Sequence, residues 1–197
     1  MKRRIVKDFK TILKDMEPTV KNLKPLLVGR EIENFSLRPR EVWGNWLLCA
    51  VLQKIHNIEI TFGDDNETDG IILNKVTGGW IQTEHVSALD VPTKNHIPKG
   101  EERIIQAINK KIDKGPEYAK NKILVVFFDG AGKWYRNKVR ESINGRHNFM
   151  SIFAIGLLTS DKNGYAYSIT DFYENSSISY KVTINSSFSD WFVTKMN

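Results

Sequence analysis

The sequence contains a single cysteine, four histidines and no long apolar run. Cys49 has no partner for an internal disulfide and lies in the apolar segment Trp46-Leu47-Leu48-Cys49-Ala50-Val51, which favours a buried side chain over a catalytic thiol. The histidines, at positions 56, 85, 96 and 147, are too scattered for a Cys/His zinc site. No stretch approaches the roughly 18 apolar residues of a membrane span, and the N-terminus lacks the apolar core of a secretory signal. We therefore expect a cytoplasmic protein with no membrane partner.

The length and composition suit one globular core. The chain has 197 residues, of which 41% are hydrophobic and 11% aromatic, and it contains no internal repeat or long linker. We expect a single domain over 1–197. Within it the sequence divides into a basic helical extension at 1–35, a core at 36–158 and a β-rich edge at 159–197.

The net charge of +6 is concentrated at the N-terminus. Residues 1–30 contain nine Lys or Arg and three Asp or Glu, so the remaining chain is neutral. Apolar residues recur at helical spacing over 3–16, which predicts an amphipathic helix with a basic outer face. Such a face suits a polyanion, because neutralised phosphates release their counterions; the alternative is a merely solvated helix face. The candidate phosphate contacts are Arg3, Arg4, Lys7, Lys10 and Lys14.

From residue 36 onward the hydrophobic patterns predict alternating helices and strands. A mostly buried helix begins near Ser36-Leu37-Arg38-Pro39, and a continuous apolar run at 122–128 indicates a central strand covered on both faces. Further helices are predicted at 98–112 and 134–143, and further strands at 57–62, 148–158, 164–170 and 177–185, with 191–192 closing the chain.

The segments Asp69-Gly70-Ile71-Ile72-Leu73 and Trp80-Ile81-Gln82-Thr83-Glu84-His85-Val86 form a predicted β-hairpin around the turn at 74–79. If Leu73 pairs with Trp80, Asp69 lies beside Glu84 on the neighbouring strand. Two carboxylates in an otherwise apolar hairpin are costly unless they serve a purpose, and together they could hold one divalent cation. The alternative for Asp69 is turn chemistry alone.

This order of elements, with Thr68-Asp69 followed by Glu84-His85-Val86, resembles the PD-(D/E)xK restriction endonuclease-like superfamily over residues 36–158. The resemblance implies an α/β (α+β) fold with a central mixed sheet flanked by helices. It also implies that Asp69 and Glu84 bind Mg²⁺ or Mn²⁺, with Glu41 of the preceding helix as a further acid. The implied function is phosphodiester hydrolysis by a metal-dependent DNA endonuclease of a bacterial restriction or phage-defence type.

The motif's lysine position is occupied by Val86, which can neither position nor activate water. A lysine of the following helix could replace it, the candidates being Lys99, Lys110 and Lys111. Alternatively Gln82, on the same strand face as Glu84, or His85, if a bulge turned it, could act on the water. The remaining alternative is an inactive module that binds nucleic acid or a protein partner.

A second basic segment follows the central strand. Trp134 and Tyr135 interleave with its cations, which suits contact with a nucleic-acid backbone or stacking on a base; a solvated helix face is again the alternative. We favour DNA over RNA as the partner, and a homodimer would suit cleavage of both strands of a duplex. The cations concerned are Lys133, Arg136, Lys138 and Arg140.

Overall fold

The computed structural model describes residues 4–32, 35–88, 100–128 and 133–197. Within these ranges, helices flank a single mixed sheet of nine strands whose order in space follows the order in the chain. The elements are β1 (Arg4–Ile5), α1 (Phe9–Asp15), α2 (Glu17–Lys21), α3 (Leu23–Val28), α4 (Pro39–His56), β2 (Ile60–Asp64), β3 (Ile71–Asn74), β4 (Trp80–Ser87), α5 (Glu101–Ile112), α6 (Pro116–Ala119), β5 (Lys122–Phe128), α7 (Arg136–Ile143), β6 (Ser151–Asp161), β7 (Gly164–Phe172), β8 (Ser177–Asn185) and β9 (Trp191–Lys195).

The three central strands, β4, β5 and β6, are parallel to one another, and the other neighbouring strands of the sheet pair in antiparallel fashion. Parallel neighbours need crossover connections, and α5 with α6 connects β4 to β5 while α7 connects β5 to β6. The predicted α+β class with a mixed sheet and flanking helices is therefore confirmed.

Helix α4 packs on one face of the sheet and is buried over its first three turns. Trp43 and Trp46 are fully buried and stack on each other with ring centroids 5.3 Å apart, and Trp43 also contacts Tyr167 of β7. Helix α1 joins the same core through Leu13. A helix with so little polar surface is stable only when other elements cover it.

Helices α5 and α7 pack on the opposite face of the sheet. Ile104 and Ile108 of α5 and Val139 of α7 form a second core against the side chains of β5 and β6. Strand β5 contributes Val125 to the first core and Leu124 to the second, so it is covered on both faces, as its apolar sequence predicts.

The N-terminal segment differs from the predicted helix over 3–16. Arg4 and Ile5 pair with Asp64 and Gly63 of β2 as a short edge strand, and the helix begins only at Phe9. Asp8 is the reason, because its side chain accepts hydrogen bonds from the amides of Lys10 and Thr11 and so caps the helix at its N-terminus. The predicted helical extension is thus one strand followed by three short helices.

None of the helices in the described part of the chain has the length and apolar composition needed to cross a membrane. The other element predictions agree with the structure to within a few residues, and β8 has the predicted bounds. Strand β2 starts at Ile60 instead of residue 57, and the single-turn helix α6 is absent from the predicted set.

Candidate functional site

The β3–β4 hairpin has the predicted register. Leu73 pairs with Trp80 and Ile71 with Gln82, and the amide of Thr83 donates a hydrogen bond of 2.8 Å to the carbonyl of Gly70. The next pair outward is therefore Asp69 beside Glu84. The Asp69 carboxylate also accepts a 2.7 Å hydrogen bond from the backbone amide of His85, which fixes it against β4.

A lysine from the following helix lies between the two carboxylates. The ammonium of Lys111, near the end of α5, is 3.0 Å from Glu84 Oε2 and 3.8 Å from Asp69 Oδ2, and its side chain is only 13% exposed. Of the other predicted candidates, Lys110 is exposed and Lys99 lies outside the described residues. Val86 packs partly buried beside the second core, so α5 supplies the cation that β4 lacks.

Glu84 has two further partners. Lys122, the first residue of β5, is 3.2 Å from its Oε1, and the hydroxyl of Tyr118 donates a hydrogen bond to its Oε2. Burial acts to raise the pKa of Glu84, but the hydrogen bonds from Tyr118 and Lys111, together with the charges of Lys111 and Lys122, lower it below its ordinary value. The Glu84 side chain is therefore ionised and held from three directions.

Tyr118 is a residue of the site that the sequence motif does not identify. It lies on α6, a single turn with Pro116 in its first position, and its ring packs edge-on against Phe149. Burial and the neighbouring Glu84 raise the pKa of the Tyr118 phenol, so it stays protonated and acts as a donor. The sequence signal that points to it is an aromatic residue within a dense run of lysines from 110 to 122.

Asn45 of α4 positions the backbone at the carboxylate pair from the opposite face of the sheet. Its fully buried amide donates a 2.9 Å hydrogen bond to the carbonyl of Asp69 and accepts one of 3.0 Å from the hydroxyl of Thr83. Gly70 makes this approach possible, because a side chain there would collide with the Asn45 amide and its φ of +138° is unfavourable for other residues. Asn45 thus links α4 to both strands of the hairpin.

His85 faces away from the carboxylates. Residues Gln82–Ser87 pair with β5 in an unbroken register, so the bulge that would turn His85 towards Glu84 does not form in β4. The ring is buried beneath α4 next to Gly44, with Nε2 3.1 Å from Asn45 Oδ1. Burial, assisted by the charges of Arg40 and Lys111, lowers the pKa of His85 well below its ordinary value, and the ring is neutral.

Gln82 shares the strand face of Glu84, as predicted, but its amide is engaged with a neighbouring loop. It donates a 2.9 Å hydrogen bond to the buried carboxylate of Asp65. Asp65 also accepts hydrogen bonds from the amides of Glu67 and Thr68, and so orders the loop that leads into Asp69.

Glu41, the further acid expected from the preceding helix, is buried in the first turn of α4. Its carboxylate accepts a 2.8 Å hydrogen bond from the amide of Arg38. Burial raises the pKa of Glu41, and the negative charge of nearby Asp69 raises it further. Within the described ranges no three His, Cys, Asp or Glu side chains are grouped closely enough to hold a metal ion, so Glu41 stands apart from the pair formed by Asp69 and Glu84.

The two predicted basic surfaces lie on opposite faces of the sheet. Helix α1 packs with α4, whereas α7 packs with α5 on the face that carries Glu84. Several of the cations are engaged within the protein: Arg4 with Asp64, Lys14 with Glu17 and the Ser187 carbonyl, Arg136 with Ser179, Lys138 with Glu101 and Arg140 with the Asn175 carbonyl. Lys7, Lys10 and Lys133 are exposed, and Arg3 lies outside the described residues.

The site therefore offers two carboxylates to a cation and several ammonium groups to an anion within a few ångströms. Hard divalent cations such as Mg²⁺ prefer carboxylate oxygens, and commonly take only one or two from the protein together with phosphate oxygens and water. Comparison of the chain with protein-family models and with curated proteins finds no match.

Proposed function

We propose that this protein is a metal-dependent nuclease of the PD-(D/E)xK restriction endonuclease-like type, which hydrolyses phosphodiester bonds in DNA and serves in bacterial restriction or phage defence. The observation that carries the proposal is the ammonium of Lys111 lying 3.0 Å from Glu84 and 3.8 Å from Asp69. Lys111 compensates for Val86, because it brings to the carboxylate pair the cation that the motif requires.

In this proposal Asp69 and Glu84 would hold Mg²⁺ or Mn²⁺. The bound ion supplies Lewis-acid stabilisation of the charge that develops on the phosphate. Lys111 contributes a second positive charge next to the attacking water and the phosphate. Asn45 holds the Asp69 backbone in place, and Glu41 would be the further acid of the site, close enough to Asp69 for that carboxylate to raise its pKa.

The direct test is incubation with plasmid DNA, single-stranded DNA and single-stranded RNA in Mg²⁺ or Mn²⁺. Asp69→Asn, Glu84→Gln and Lys111→Met should each lower the cleavage rate by at least about a hundredfold, because each removes a charge that acts on the transition state. Lys110→Met is the matched control, since Lys110 is the exposed neighbour of Lys111 on the same helix. Cleavage that survives both carboxylate substitutions would disprove the proposal.

A non-catalytic module that binds nucleic acid or a protein partner is the second candidate. It is favoured by the pairing of the Glu84 carboxylate, which already has Lys111, Lys122 and Tyr118 as partners without a metal ion. Such a module would bind oligonucleotides in a salt-dependent manner without cleaving them, more weakly after neutralisation of Lys7, Lys10 and Lys14. Calorimetric binding of Mn²⁺ that Glu84→Gln abolishes would favour the nuclease over this module.

A further inference from the structure

Three lysine side chains converge on Tyr118 beside the carboxylate pair. The ammonium groups of Lys111, Lys114 and Lys122 lie 5.6, 4.4 and 4.5 Å from the centre of the Tyr118 ring. The Tyr118 oxygen also accepts hydrogen bonds from Lys111 at 2.9 Å and from Lys114 at 3.4 Å. These four residues are called the Tyr118 lysine cluster below.

The cluster holds more positive charge than the neighbouring carboxylates neutralise. Asp69 and Glu84 carry two negative charges, whereas the cluster carries three positive ones. Lys111 and Lys122 pair with Glu84, but Lys114 has no carboxylate partner among the described residues and contacts the Tyr118 hydroxyl instead. Within the described ranges, this ammonium of the cluster therefore forms no ion pair.

Pairing with the carboxylates does not require all three lysines. Lys111 and Lys122, whose side chains are only 13% and 16% exposed, are both paired with Glu84, as buried ammonium groups must be, and the surplus charge is that of the exposed Lys114. A single lysine would suffice to pair Glu84, and bringing further cations close to it adds mutual repulsion. Crowded cations of this kind are stabilised when an anion binds among them.

We propose that the Tyr118 lysine cluster is a phosphate-binding site, in which Lys114 and Lys122 contact a backbone phosphate of nucleic acid beside the carboxylate pair. The identity of the ligand rests on the proposed nuclease function, since the phosphate is that of the substrate. A phosphate carries the negative charge that the cluster lacks, and its oxygens accept hydrogen bonds from ammonium groups. Lys114 is exposed, so a ligand reaches it from solvent.

The test measures binding of a fluorescently labelled single-stranded DNA oligonucleotide by anisotropy, in EDTA and over a range of salt concentrations. Lys114→Gln and Lys122→Gln should each weaken binding at low salt and reduce the slope of log K against log salt by about 0.7, the value for one lost phosphate contact on a single strand. Lys162→Gln is the control, because it removes the same charge from the exposed turn between β6 and β7. Thermal unfolding of each variant verifies that the fold is retained, and the exposed Lys114 keeps the test valid even if Lys122→Gln unfolds.

A second arm adds inorganic phosphate as a competitor. If inorganic phosphate competes with the oligonucleotide for the wild type but not for Lys114→Gln, the cluster binds the phosphate group alone. If the variants reduce the salt slope but inorganic phosphate does not compete, the cluster binds phosphate only as part of a nucleic-acid chain. Absence of oligonucleotide binding by the wild type overturns the proposal, and so do affinities and slopes of Lys114→Gln and Lys122→Gln that equal those of Lys162→Gln.

Because EDTA removes divalent ions, binding is measured independently of cleavage. A protein that binds through Lys114 and Lys122 but never cleaves disproves only the nuclease, and one that cleaves at the wild-type rate after Lys114→Gln and Lys122→Gln disproves only this phosphate site.

Discussion

Replacing Lys111 with methionine should make the protein bind divalent metal more tightly while impairing cleavage. In the metal-free protein the Lys111 ammonium is the counter-charge of Glu84, at 3.0 Å, and of Asp69, at 3.8 Å. A metal ion at the same carboxylates must displace this ammonium or tolerate its repulsion. Methionine retains most of the length and apolar surface of the lysine side chain, so the substitution removes mainly the charge.

The size of the effect follows from charge separation and screening. Two unit charges 4 Å apart interact by about 4 kcal/mol at the effective dielectric constant of about 20 that suits partly buried sites. Only part of this is gained in the variant, because Lys122 continues to neutralise Glu84 and Tyr118 continues to donate a hydrogen bond to it. A net gain of about 1.4 to 2.8 kcal/mol corresponds to metal affinity about ten to one hundred times higher.

Calorimetric titration with Mn²⁺ in the absence of nucleic acid measures this affinity directly. Lys110→Met removes the same charge from the exposed side of α5 and should leave both metal affinity and cleavage near the wild-type values. If Lys111→Met binds Mn²⁺ no more tightly than Lys110→Met does, the ammonium and the metal do not share these carboxylates, and the reasoning fails.

Three further predictions concern the support of the hairpin and the response to pH. Asn45→Ala should lower the free energy of unfolding by about 2 to 4 kcal/mol, because the part-buried Asp69 carbonyl and the buried Thr83 hydroxyl lose their partner. It should also weaken Mn²⁺ binding. Urea denaturation and calorimetry measure the two effects, with the exposed Asn137→Ala as the control. Gly70→Ala should cost at least about 2 kcal/mol by the same denaturation assay, because it combines a collision with Asn45 and a φ of +138°; a change below 0.5 kcal/mol would contradict the packing described. Burial depresses the pKa of His85 in the folded protein, so below the ordinary histidine pKa near 6.5 only the unfolded chain binds a proton at this side chain. The free energy of unfolding should therefore fall by about 1.4 kcal/mol for each pH unit below 6.5. The His147 pKa is also lowered by burial, but His85→Asn should reduce the dependence of unfolding free energy on pH more than His147→Gln does. An equal dependence on pH for His85→Asn and the wild type would show that His85 titrates normally.

The hairpin could be predicted because its determinants are local. The turn between Leu73 and Trp80 and the alternation of side chains along each strand define which residues lie opposite each other, and the structure pairs them accordingly. The same alternation places His85 on the face opposite Glu84, although the sequence leaves open a bulge that β4 does not contain. Lys111 was one of three candidates, because helical periodicity indicates the face of a residue but not the angle at which the helix crosses the sheet.

Features that depend on tertiary contacts were not predicted. Strand β1 has only two residues and exists because it pairs with Gly63 and Asp64, which no local pattern indicates. Helix α6 is a single turn, too short for a periodic signal, and Tyr118 reaches Glu84 only because the β4–β5 crossover places that turn beside it.

The order of the strands also has a consequence for how the site forms during folding. Among the described strands, the five antiparallel pairs joined by a direct hairpin can form from contacts close in sequence, whereas pairing of β4 with β5 must close the long connection that contains α5 and α6. Closing this long connection carries an entropic cost before any pairing compensates for it. Lys111, Tyr118 and Lys122 come from that connection and the strand it delivers, so the cations should reach Asp69 and Glu84 later than the two carboxylates reach each other.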